Sequence, residues 1–265
     1  MRFLCAAVVA LGIAGELRAD DGQAARHLLL GVHAFKAEHY DEALVELRVV
    51  ARAPDAPADL AFYLGPTLYK LARYDEALAV FLASRAAPDA LTDFYRGQTY
   101  YQLRLFRKAR AVFAELRARG LGPALREAAD RYVAAVDAAY RTPPAAGAID
   151  HYLAEGAARA AIDPAVAAEY LDEARQVEAL AVEPHRHLEI VAALAAAWTD
   201  SRRPALAAAL LAAERDPGPE LRWQLARAYA AAGDAAHARP LLEAIAREPG
   251  PRSRDASALL AQLVH

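Results

Sequence analysis

Several groups of residues in this 265-residue chain have side chains that could do chemistry. His185-Arg186-His187 with Glu189 gathers imidazoles and a carboxylate as a metal site would. Yet His at i and i+2 leave a helix on different sides, and the HExxH spacing that puts two His on one face is absent. The group reads as a solvated helix start. His33 and His39 have no acidic partner at a fixed spacing and read as surface or packing residues. Asp41-Glu42 and Asp75-Glu76 offer paired carboxylates of the kind acid–base catalysis uses. They recur with a sequence repeat, however, at places where a helix N-terminus favours negative charge, which points to a structural job. There is no GxSxG, no GxxxxGK[ST] and no GxGxxG, and the single cysteine, Cys5, sits in the first apolar run. These residues predict no enzyme, no metal site and no cofactor.

The bulk composition narrows the partners. A net charge of −3 and a pI near 6.3 give no basic surplus with which to neutralise phosphates, so nucleic acid is not expected. The basic residues are nearly all Arg, with Lys only at 36, 70 and 108. Ala and Arg, both strong helix formers, dominate, and Gly is sparse, which predicts an all-α chain. Arg2, the apolar run Phe3 to Ile13 and the small residues after it have the layout of a secretory signal peptide over residues 1–19. Cleavage is expected after Ala19, with Ala14 as the alternative. The apolar run is too short to cross a bilayer, which takes about 20 residues. The expected mature protein is periplasmic or secreted, without a cysteine and without a transmembrane segment.

The elements that must position any site come from an internal repeat. Tyr40-Asp41-Glu42-Ala43-Leu44 returns as Tyr74-Asp75-Glu76-Ala77-Leu78, an offset of 74 − 40 = 34. Gly31 and Gly65 obey the same shift, as do Pro54 and Pro88. A third copy follows at 106 − 74 = 32, where Phe106, Ala109 and Phe113 answer Tyr74, Ala77 and Phe81. In period and pattern these landmarks resemble the tetratricopeptide repeat family. The resemblance implies a right-handed α-solenoid of helix-turn-helix units. In each unit a small residue of the first helix (Gly31, Gly65, Gly97) lies close to the second, which opens near an Ala (Ala43, Ala77, Ala109). The large residue the family places early in the first helix is missing, with His27, Ala61 and Asp93 standing there.

The expected organisation is a first array over 24–142, with units at 24–57, 58–90 and 91–122 and an amphipathic helix at 123–141. Thr142-Pro143-Pro144 and Gly147 form the breaker. A second, looser array follows over 148–265. Its units run from Tyr152 with Gly156, Ala167 and Ala174, from Pro184 with Ala205-Leu206 and Ala212, and from Trp223 with Ala226 and Ala238. A capping helix closes it. Pro66 and Pro240 fall inside expected helices, where kinks are predicted.

In the family the first helices line a concave groove that holds the ligand. Carrying that register over implies a partner-binding groove of Phe35, Lys36, Phe62, Tyr63, Tyr69, Lys70, Phe94, Tyr95, Gln98, Tyr101 and Gln102. Such an aromatic surface suits a peptide or helix of another protein, with cell-wall carbohydrate as the alternative ligand. The resemblance does not extend to the family's carboxylate clamp, whose positions hold Leu28, Val32, Pro66, Leu91 and Tyr95. The expected function is an exported protein–protein interaction scaffold of the kind that serves an envelope assembly; a homo-oligomer is compatible with it.

Overall fold

The computed structural model describes residues 22–84, 89–119, 122–141, 147–180 and 186–263. The expected signal peptide, Pro88, residues 142–146 of the breaker, Pro184 and His185 lie outside the described residues. Among the described residues the chain forms fourteen α-helices and no strand. Helix α1 covers 22–36. It is followed by α2 (Tyr40–Ala51), α3 (Ala61–Lys70, entered through a 3-10 turn at Ala58–Leu60), α4 (Tyr74–Ala83), α5 (Ala90–Gln102), α6 (Phe106–Ala118) and α7 (Pro123–Arg141). Then come α8 (Ala148–Ala160), α9 (Pro164–Glu178), α10 (His187–Asp200), α11 (Pro204–Ala212), α12 (Pro219–Ala231), α13 (Ala235–Arg247) and α14 (Ser253–Gln262).

Local chemistry explains where these helices start and turn. Pro164, Pro204 and Pro219 open their helices, where a missing N–H costs nothing. The Asp89, Asp163 and Asp234 carboxylates accept from first-turn N–H groups. Between paired helices the backbone turns through a left-handed residue: Glu38, Ala72, Arg104, Arg202 and Gly233 all have φ between 57° and 77°. At four of these turns the next N–H reaches five residues back, from His39 to Ala34, Arg73 to Leu68, Arg203 to Trp198 and Asp234 to Tyr229. This bond satisfies carbonyls that the ended helix leaves open. Only Gly233 uses the residue that adopts such a φ freely; the others accept a modest strain. Pro66 and Pro240 both sit inside their helices without ending them, Pro66 within the core.

Two compact units emerge, one of Met1–Arg104 with Ala109–Asp137 and one of Leu105–Lys108 with Ala138–His265. The division between Asp137 and Ala138 lies inside α7, ahead of the Thr142–Gly147 breaker. Proline and glycine mark where a helix stops, whereas a unit is defined by where its side chains pack. In the first unit α2 packs on α3, α3 on α4, and both α3 and α4 on α5. Its core holds Leu44, Leu47, Leu64, Leu68 and Phe81. In the second, consecutive helices from α8 to α14 pack in turn, and α10 also touches α8 and α12. The first helices of neighbouring pairs are therefore in contact, and each pair covers the apolar face of the next.

The second unit contains an unusual helix. In α9 the carboxylates of Glu169, Asp172, Glu173 and Glu178 are all buried, a placement that acidic residues rarely accept without partners. Lys108, from the segment Leu105–Lys108, lies 3.1 Å from Glu169 and 2.5 Å from Asp172, and Arg175 adds a bond of 2.7 Å to Asp172. Glu178 accepts from the Arg186 N–H at 2.6 Å. Glu173 is 1% exposed and accepts from the Arg107 N–H at 3.0 Å through one oxygen, while its other oxygen has no hydrogen-bond partner. Burial pushes its carboxyl up to about 7, against the opposing pull of the Arg107 N–H and of the Arg107 and Lys108 charges. Burial works against the Lys108 ammonium, yet coulombic attraction to Glu169 and Asp172 holds it above its ordinary value.

Candidate partner-binding face

The eleven residues implied as a groove all belong to the first helices of the first unit, and the structure separates them into three kinds. Lys36, Lys70 and Gln102, the last residues of α1, α3 and α5, are exposed. Phe35, Phe62, Tyr63, Tyr69, Tyr95, Gln98 and Tyr101 are half-buried, with their rings largely set against one another. Phe35 meets Tyr63 at 6.1 Å between centroids and Tyr40 at 5.8 Å, and Tyr69 meets Tyr95 at 5.5 Å and Tyr74 at 5.6 Å. Phe94 is of the third kind. Its ring sits 5.7 Å from Phe113 and 5.8 Å from Tyr132, which makes it inter-helix packing more than a contact surface.

Tyr132 of α7 joins this face although the repeat landmarks do not point to it. Its ring stacks on Phe113 at 4.9 Å and meets Tyr101 edge-on at 5.3 Å, and its hydroxyl accepts from Gln98 Nε2 at 2.8 Å. Helix α7 thus stands to α5 as a further first helix, and 132 − 98 = 34 repeats the offset of the first two units. That offset is present in the sequence, but an Ala-rich helix with no paired second helix offers no other landmark. The Tyr69 hydroxyl belongs to the same group: burial raises it to about 12, with Gln102 and Tyr132 as its polar neighbours. Phenols and amides from α3, α5 and α7 therefore form one continuous polar rim above a ring-packed floor.

A register of small and large residues holds these first helices against their partners. A Cβ built on Gly31 would meet Leu47, on Gly65 Phe81, and on Gly97 Phe113, so each glycine lets its helix approach a large side chain. The spacing is constant, since 47 − 31, 81 − 65 and 113 − 97 all equal 16. Twelve residues after each glycine comes an alanine of zero exposure: Ala43, Ala77 and Ala109. The second unit keeps the rule with alanine for glycine. Ala195 shares a core with Ala207 and Leu211, and Ala226 shares one with Ala238 and Leu242, again 12 and 16 residues on. Gly156 faces Leu171 with one residue fewer between them. Among the described residues the chain is an all-helical repeat of helix-turn-helix pairs.

No family model matches the chain, and no curated protein matches it. Among solved structures it is similar to the TPR2AB domain of yeast Sti1 in a pHSP90 complex, at 15% identity over 92% of this chain and 100% of that one, with a TM-score of 0.39. It is also similar to the TPR domain of P58(IPK), at 13% identity over 95% of this chain and 67% of that one, again with a TM-score of 0.39.

Within these helix pairs, two of the three positions that lack the large residue hold polar side chains instead. His27 lies 2.5 Å from Glu46 of the paired helix. Asp93, 2% exposed, lies 2.7 Å from Arg96 and 2.5 Å from Arg119 beyond α6. Two positions that would seat an apolar side chain thus make polar links, His27 to the paired helix through Glu46 and Asp93 to the residue just beyond α6 through Arg119. In the fifth pair Ala205, Leu206 and Ala212 lie in the second helix, α11, as expected; they are exposed there, and Ala207 is the close-packed residue. The recurrent acidic pairs sit in the first turns of α2 and α4. Glu76 there receives Arg48 at 2.7 Å and Arg73 at 2.5 Å. His187 lies 3.0 Å from Glu214 and 3.8 Å from Glu178. Among the described residues no group of three or more His, Cys, Asp or Glu is arranged to hold a metal ion, and no helix is long and apolar enough to cross a membrane.

Proposed function

We propose that this protein is an exported scaffold that binds a peptide or helix of a partner protein along the first-helix face of its first unit. The observation that carries the reading is the phenol–amide rim of Tyr69, Gln98, Tyr101, Gln102 and Tyr132 above packed rings. Hydroxyls and amides can pair with the backbone of a bound segment, while the rings beneath bring contact area at low entropic cost. The carbohydrate alternative fits less well. Sugar rings stack on flat, open aromatic faces, whereas the pairs here are mostly edge-on or tilted, with interplanar angles of 53° to 79° for Phe35, Tyr69, Phe94 and Tyr101.

Affinity capture from the native envelope tests the face. The Tyr63→Ala/Tyr101→Ala protein, shown by circular dichroism to be folded, should lose the partner that wild type retains. Truncating two contact aromatics costs about 2 kcal/mol or more at such surfaces, enough to deplete the captured band by about tenfold or more. Equal recovery by both proteins would remove the face from consideration. The export part of the proposal rests on residues 1–19 and has its own check. Intact mass of the protein from the periplasm or medium should correspond to a chain beginning at Asp20; an intact Met1 chain in the cytosol contradicts it.

A further inference from the structure

The helix pair that opens the first unit breaks a rule that the end of the second unit keeps. Among the described residues nine large apolar side chains are exposed, and four of them, Leu29, Leu30, Val45 and Val49, belong to α1 and α2. A stack of helix pairs needs a polar outer face at its ends. Helix α14, which closes the second unit, supplies one: it exposes Arg254, Asp255, Ser257 and Gln262 and packs Leu259, Leu260 and Leu263 onto the core beneath. The exposed valines are peculiar to the opening pair. At the repeat offsets of 34 and 32 residues, the positions of Val45 and Val49 hold Ala79 and Ala83 in α4, and Ala111 and Glu115 in α6.

The exposed side of α2 also has an order of its own. Glu42, Val45, Val49 and Arg52 are all exposed and follow one another at steps of three, four and three residues, the spacing that keeps side chains on one seam of a helix. The seam is thus acidic at one end, apolar in the middle and basic at the other. An acid in the first turn and a base at the C-cap also favour α2 itself through the helix dipole, which accounts for the two ends. It does not account for two valines turned to water between them.

We infer that a second copy of this chain packs on the seam, with α2 antiparallel to α2 about a two-fold axis. In antiparallel helices the facing positions have a constant sum, and 42 with 52 gives the same sum as 45 with 49. Glu42 of one copy therefore meets Arg52 of the other, Val45 meets Val49, and symmetry returns both contacts. A parallel pairing would instead set acid on acid and base on base. Leu29 and Leu30 of α1 extend the apolar area beside the seam. One patch serves both copies, so the assembly closes at two. The seam is about 15 Å long, short against a standard interface of about 800 Å² per copy, so the dimer is reversible and concentration is the variable that reveals it.

Sedimentation velocity of the protein with its native N-terminus, from about 1 to 300 µM, should show a passage from monomer to dimer. Val45→Lys, at a side chain 64% exposed, should weaken association about tenfold or more with an unchanged far-UV circular dichroism spectrum. Ala111→Lys, at the equivalent exposed position of α6, should leave it unchanged. Glu42→Arg and Arg52→Glu should each weaken it about fivefold. The double variant should restore it, because the two positions are about 15 Å apart within one helix and meet only between copies. Three results overturn the inference: a monomer across the whole range, association that Val45→Lys leaves unchanged, or a double variant that associates no better than the single ones. A monomer would mean that the end is covered otherwise, by residues 1–19 if mass spectrometry finds Met1 retained and by a different protein if it does not. The seam is separate from the partner-binding face, so Tyr63→Ala/Tyr101→Ala should dimerise like wild type whether or not it loses its partner.

Discussion

Glu173→Gln should stabilise the second unit at pH 8 by on the order of 3 kcal/mol and leave it nearly unchanged at pH 5. The expectation follows from a carboxyl that is 1% exposed and raised from 4.5 to about 7, at about 1.4 kcal/mol per pKa unit. A group whose folded value lies above its unfolded one favours the folded state when protonated. Its contribution is complete below about 4.5 and is lost as the pH rises through 7. Wild type should therefore lose unfolding free energy between pH 5 and pH 8, and the Glu173→Gln variant should show a flatter profile there. The new amide carbonyl can go on accepting the Arg107 N–H, so geometry is conserved while the charge is removed. Asp172 acts in a different window. Burial pushes its carboxyl up, but Lys108 and then Arg175 outweigh burial and hold it below the ordinary value, so its contribution is present above 3.8 and lost in acid. The measurement is convenient, because both tryptophans, Trp198 and Trp223, lie in the second unit. Urea titrations followed by tryptophan emission at pH 5, 6, 7 and 8 read that unit directly. Parallel profiles for wild type and Glu173→Gln would refute the assignment.

The second large effect is expected in the first unit. A Cβ at Gly65 would stand 2.6 Å from Cζ and 2.9 Å from Cδ1 of Phe81, with Cε1 nearer still. Phe81 is 6% exposed and packed into the core, so its ring has little room to withdraw. Gly65→Ala should cost roughly 3 kcal/mol from overpacking, against about 1 kcal/mol regained by replacing glycine within a helix. Gly97→Ala should cost less, with its nearest approach of 2.8 Å to Phe113. Gly31→Ala and Gly156→Ala should be milder still, because the ends of Leu47 and Leu171 can rotate away. Gly22, which has nothing within 4 Å, supplies the control and should show no loss. Thermal unfolding by far-UV circular dichroism ranks the series; a Gly65→Ala protein as stable as wild type would contradict the register on which the repeat rests.

Part of this could be read along the chain and part could not. The helical class, the 34- and 32-residue offsets and the glycines and alanines that pair the helices are all written in short-range spacing. A helix contact between neighbours in sequence must recur with the repeat, and a recurring residue type announces it. The face is legible to the same extent, because its residues follow the repeat register. Their exposure is not. Phe94 and Tyr101 belong to the same helix, yet one ring is packing and the other borders the rim, because Tyr132 arrives from α7 and covers them differently.

Residue order is therefore enough to say that helices pair, which small residues let them approach, and that the first three pairs repeat most faithfully. The remainder required the folded chain. Folding placed the division between units inside α7, set Ala207 at the packed position of α11, and buried four carboxylates on α9. It also brought Glu173 to the Arg107 N–H across 66 residues of sequence. The physical reason is that Ala-rich helices carry little asymmetry, so neither their register nor their buried side follows from pattern. Whether a glutamate ends in water or among apolar groups then depends on partners distant in the chain, and with it the charge that the glutamate can carry.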